Sequence, residues 1–127
     1  MNLERKFNVP TILSYSDSLG QHLLRENIRW ATNCLIIDNR GFETYCHDTI
    51  SLQIEVDPSF PEEDYDIEWK FNNRTLGTDK KVEITFEEAD VNDFRPVIVK
   101  VKSKKNWHKL NDCDDCLAIQ LTILPPE

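Results

Sequence analysis

The chain has 127 residues, 39% hydrophobic and 30% charged, with 23 acidic against 15 basic side chains and a formal net charge of −8. A chain of this size hides roughly two-thirds of its unfolded surface, so a single domain with one core is expected over residues 1–127, and the apolar content excludes a disordered chain. The negative charge excludes duplex nucleic acid as a long-range partner, because that affinity comes from neutralising phosphates with Lys and Arg.

No stretch reaches the ~20 apolar residues of a membrane helix, and the opening MNLERKFNVP lacks the continuous apolar region of a secretion signal. A cytoplasmic protein without a membrane partner is therefore expected. The N-terminal segment, about residues 1–27, contains the helix N-cap formers Ser16, Asp17 and Ser18, with Leu19, Leu23 and Leu24 at helical spacing behind them. That pattern predicts a short helix over about residues 18–27, with Gly20 against it. IRWATNCLII (28–37) places Ile28, Trp30, Cys34 and Ile36 on one parity and reads as a strand, and DNRGF (38–42) reads as the turn after it.

From residue 49 the alternation is regular. TISLQIEV puts Ile50, Leu52, Ile54 and Val56 on one face; DPSFPEED, with two prolines and three consecutive acids, is a surface connection. YDIEWKF puts Tyr65, Ile67, Trp69 and Phe71 on one face and Asp66, Glu68 and Lys70 on the other. The aromatic face matches the inward parity of its neighbours and is expected to be core. Asn72 and Asn73 tolerate a left-handed turn, and Gly77 ends the connection. KVEITF, RPVIVKVKS and CLAIQLTIL supply three further strands, with EEADVND a helical turn or loop. The fold class predicted over residues 28–124 is a mainly β, antiparallel sandwich.

Chemistry is sparse. Cys34, Cys46, Cys113 and Cys116 allow two disulfides in three connectivities, but in the cytosol they stay reduced. Cys113 and Cys116 have the spacing of half a zinc site, without a recognisable second half, and the two aspartates between them oppose thiolate formation. His22, His47 and His108 sit in polar contexts. No nucleophile elbow, paired catalytic carboxylates or calcium loop occurs, so no enzyme, metal or cofactor is predicted. The sequon Asn73-Arg74-Thr75 has meaning only in a secreted chain.

The loop KSKKNWHKL gathers Lys100, Lys102, Lys104, Lys105 and Lys109 around Trp107 and His108. A base could stack on that indole while the lysines hold phosphate; otherwise the Trp closes the end of the core. The topology of a Greek-key sandwich would set this loop beside the acidic SFPEED connection.

Two resemblances follow. TISLQIEV, the acidic Pro loop, YDIEWKF, KVEITF, VIVKVKS and AIQLTIL resemble a PKD or immunoglobulin-like sandwich over about residues 48–124, where Trp69 matches a tryptophan at the centre. FNVP, LIIDNRGF, ISLQIEV and YDIEWKFNN resemble the C-terminal sensor domain behind bacterial SMODS (CD-NTase) nucleotidyltransferases of anti-phage operons. Tyr65, Ile67, Trp69, Lys70, Phe71 and Asn73 carry this; the family's later His-Tyr-Val-type strand is not evident. The resemblance implies a non-enzymatic sensor for a nucleotide or its derivative, with the nucleotide or a nucleotidyltransferase domain as partner. Lys104, Lys105, Trp107 and His108 are the ligand candidates, with Asn72, Asn73 and Arg74 as a second patch. The alternative is a small acidic immunity or inhibitor protein whose loops (Glu62, Glu63, Asp64, and Glu87, Glu88, Asp90) plug a basic site on a toxin or nuclease.

Overall fold

The computed structural model describes residues 9–31, 34–104 and 115–126. Among the described residues ten strands run in chain order: β1 (Ile12–Asp17), β2 (His22–Leu24), β3 (Arg29–Ala31), β4 (Cys34–Tyr45), β5 (Thr49–Val56), β6 (Tyr65–Phe71), β7 (Arg74–Gly77), β8 (Lys81–Thr85), β9 (Val97–Ser103) and β10 (Asp115–Leu124). They form a four-stranded sheet ordered β2-β1-β5-β8 and a six-stranded sheet ordered β3-β4-β10-β9-β6-β7.

The alternation of the later strands places the core. Ile50, Leu52, Ile54 and Val56 from the small sheet meet Tyr65, Ile67, Trp69, Phe71, Val97, Val99, Val101, Leu117 and Ile119 from the large one in a single buried cluster. Period-two side chains can bury only one face of a sheet, so two such faces close on each other. Trp69 lies at the centre with no exposed surface and donates its indole N–H to the Asp79 carbonyl at 2.6 Å, which satisfies its one polar atom. Phe71 and Phe86 meet edge to face, with ring centroids 5.2 Å apart.

The N-terminal third departs from expectation. Residues 18–27 hold no α-helix: β1 and β2 form a hairpin, followed by a single 3-10 turn at Arg25–Asn27. The Asp17 carboxylate decides this by accepting the backbone N–H of Leu19 at 2.9 Å and of Gln21 at 3.1 Å, donors a helix would have used differently. Gly20, at φ +100°, then takes the left-handed corner. The run 28–37 is likewise two strands, β3 and the start of β4, paired antiparallel.

DNRGF does not end its strand. β4 continues through it, while its register with β10 jumps from Asn39 opposite Leu121 to Glu43 opposite Thr122. Four steps along β4 are thus matched by one along β10, a bulge where a turn was expected. The β4–β10 pair is also parallel, in a fold expected to be antiparallel throughout; no hairpin joins these strands, so nothing local imposes the antiparallel sense.

The same pair carries a disulfide between Cys34 and Cys116, with Cα atoms 4.9 Å apart. This overturns the expectation of reduced thiols there, and it removes Cys116 from any two-cysteine site with Cys113, a residue outside the described ones. Cys46 is buried with a free thiol. Burial pushes that thiol's pKa up, and the carboxylates of Glu88 and Glu87 add to the effect.

Candidate functional site

β6 and β9 pair antiparallel, with Lys70 opposite Ile98 and Glu68 opposite Lys100. Their other parity is committed to the core, so Glu68, Lys70, Ile98, Lys100 and Lys102 stand on the outer face of the large sheet, each half-buried by its neighbours. β6 ends in a two-residue turn in which Asn72 (φ +48°) and Asn73 (φ +66°) are both left-handed, the pair of conformations that a tight hairpin requires. β9 is entered through Arg95 and Pro96. Between this turn and that entry lies a cleft of about 390 Å³ whose wall carries Lys70, Asn72, Asn73, Arg95 and Lys100, with Pro96 and Ile98 as its apolar part.

The charges in and beside the cleft are unevenly satisfied. Arg95 is held in place: its Nε donates to Asp93 Oδ1 at 3.2 Å and its Nη1 to Asn72 Oδ1. Glu68 Oε1 accepts from Lys102 Nζ at 3.0 Å and lies 3.9 Å from Lys70 Nζ. The hydrogen bond from Lys102 holds the Glu68 carboxyl below its usual range, opposed by partial burial and aided by the charges of Lys102, Lys70 and Lys100. One carboxylate therefore serves three ammonium groups. Lys100 makes no ion pair within contact distance among the described residues. In a chain of net charge −8, this is a local excess of positive charge beside fixed amides and a strip of apolar surface. It can bind an anionic group; it holds no nucleophile beside a base.

The predicted site residues separate. Asn72 and Asn73 line the cleft, whereas Arg74 points its charge elsewhere: its Nη2 donates to both carboxylate oxygens of Asp90 at 3.0 Å, and its guanidinium lies 5.5 Å from the centre of the Phe71 ring. Lys104 follows β9 at the far end of the outer face, six residues from Ile98 and so roughly 20 Å along the strand direction. Its backbone N–H donates to the Asp64 carbonyl at 2.9 Å and its Nζ lies 3.7 Å from Asp66 Oδ1. For Lys104 the expected meeting with the acidic connection is present; Lys105, Trp107 and His108 lie outside the described residues. Lys70, Arg95 and Lys100 were not singled out together, because only the pairing of β6 with β9 brings them to one place.

Two other features bear on the alternatives. Asp90 is buried, with 4% of its side chain exposed. It also accepts the backbone N–H of Glu87 at 2.8 Å, so it is a structural carboxylate and cannot face a partner's basic site as the inhibitor reading requires. A second cleft, about 470 Å³, lies between the edges of the two sheets and is walled by Leu13, Leu24, Ile28, Trp30 and Leu35. Its cation, Arg25, is committed to the buried Asp115 at 2.6 Å, and Asp115 also accepts the Ile12 N–H at 2.8 Å. That pair fastens the two sheets together; Glu26 is the other charged residue on a wall that is otherwise apolar. Among the described residues no group of three or more His, Cys, Asp or Glu is placed to hold a metal ion, and no helix is long and apolar enough to cross a membrane.

Compared with known proteins, the chain matches no family model, no curated protein and no solved structure.

Proposed function

We propose that this protein is a non-enzymatic binding module that holds the anionic part of a nucleotide or nucleotide derivative in the cleft between β6 and β9. In this reading the two sheets are an immunoglobulin-like sandwich acting as a rigid frame. The module is then the sensor of a bacterial anti-phage nucleotidyltransferase system, as the likeness of Tyr65, Trp69, Lys70 and Asn73 to that family implies. The observation that carries the reading is the concentration of incompletely neutralised cations, Lys70 and Lys100 above all, on one face of an acidic protein. The ladder fixes the spacing of the Lys70 and Lys100 backbones, so both ammonium groups can close on one phosphate without rearranging the sheet. Pro96 and Ile98 supply the flat apolar surface on which a base or ribose rests.

Isothermal titration with a panel of linear and cyclic nucleotides tests this. Binding is expected to weaken by about tenfold for Lys70→Ala and again for Lys100→Ala, the worth of one hydrogen bond to a charged group. Lys104→Ala, at the other end of the face, leaves it unchanged. Affinity should fall with added salt. Silence across the panel would overturn the reading.

A further inference from the structure

We propose that the cleft selects phosphate monoesters over phosphodiesters and that Glu68, as an internal counter-ion, limits how far it does so; this rests on the reading of the cleft as an anion site. Lys70 stands opposite Ile98 and Lys100 opposite Glu68, so the two lysines are diagonal neighbours across the ladder. Such neighbours lie about 7–8 Å apart, within reach of one phosphate group between them. Glu68 sits beside both and shares a single oxygen between Lys102 at 3.0 Å and Lys70 at 3.9 Å. Three ammonium groups and one carboxylate leave this cluster with two positive charges, since Arg95 and Asp93 neutralise each other 3.2 Å apart.

A ligand has to replace the attraction that Glu68 already gives Lys70 while enduring repulsion from that same carboxylate. A monoester phosphate, with close to two negative charges near neutral pH and three terminal oxygens, matches the cluster's surplus and reaches Lys70 and Lys100 together. A phosphodiester has one charge and two such oxygens. It leaves half the surplus unmatched. Glu68 repels a dianion about twice as strongly as a monoanion, so it tempers the preference without touching the ligand, and the geometry points to a terminal phosphate as the group recognised.

The test compares AMP with 3′,5′-cyclic AMP, which share base and ribose and differ in the phosphate. Calorimetry on the whole protein should give AMP binding at least about tenfold tighter. Glu68→Gln, which keeps the side chain's shape at a partly exposed position, should tighten both ligands and widen the ratio between them, because relief of repulsion scales with ligand charge. Cyclic AMP binding as tightly as AMP would overturn the selection and leave the anion site standing, whereas no binding of either would remove the site itself. A ratio unmoved by Glu68→Gln would overturn the role of Glu68.

Discussion

Asn72 and Asn73 illustrate what single residues settle in this protein. Both adopt positive φ, where most side chains clash with their own backbone and asparagine is among the few tolerated. The turn they make fixes where β6 stops, and so fixes Lys70, two residues earlier, at the mouth of the cleft. Glu68 is the residue whose protonation should report on that face. Its pKa is depressed in the folded protein, chiefly by the hydrogen bond from Lys102, so the unfolded chain takes up its proton first as pH falls. The stability it contributes is complete above its ordinary value of 4.5 and is lost as pH drops through the lower folded value. Chemical denaturation across this range should show Glu68→Gln less stable than wild type at pH 7, with the two converging once the pH has fallen below the lowered folded value. Equal separation at both ends would contradict the pairing with Lys102. The Asn-Asn turn was legible in the sequence because its backbone demand is local. Asp90 was not: one acid in EEADVND looks like the others, and only Arg74, brought from a different strand, gives it a reason to be buried.

At the scale of elements, strands with strict alternation were legible and those bent by side-chain or long-range effects were not. β5, β6, β8, β9 and β10 fall where period-two patterning puts them, because each buries one face against the same core. The segment of β2 carries a helix-like pattern because Leu19, Leu23 and Leu24 sit at helical spacing, whereas in the hairpin Leu24 falls on the opposite parity and is exposed; the deciding carboxylate of Asp17 acts on backbone donors that no hydrophobic pattern records. The parallel β4–β10 pairing was equally hidden, as it joins segments from opposite ends of the chain. The disulfide between Cys34 and Cys116 spans a sequence separation of 82 residues. A bridge closing a loop of that length restricts the unfolded chain by about 4 to 5 kcal/mol in chain-entropy terms. Urea denaturation with and without a dithiol reductant should show a loss of this order on reduction, reproduced by the double variant Cys34→Ala and Cys116→Ala in either condition. Identical midpoints for oxidised and reduced protein would show that β4 and β10 are held without the bridge.

For the molecule as a whole, the sign of the net charge and the location of the cations pull in different directions, and that contrast underlies the functional reading. A chain of −8 repels anions at long range, so an anionic ligand would be held only by contacts at close quarters, where Lys70, Lys100 and Lys102 outnumber the one adjacent carboxylate of Glu68. The candidate site was half legible: Asn72 and Asn73 were found from turn chemistry, while the lysines were assigned to the loop that follows β9, where cations crowd in sequence. Strand pairing, absent from any one-dimensional pattern, gathers Lys70, Arg95 and Lys100 at the other end of the ladder. An amide-resolved NMR titration of the 15N-labelled protein with AMP distinguishes the two places most directly. Shifts gathered at Lys70, Asn72, Asn73, Arg95, Ile98 and Lys100 are the predicted result; shifts confined to Lys104, Lys105, Trp107 and His108, with the cleft silent, would contradict it.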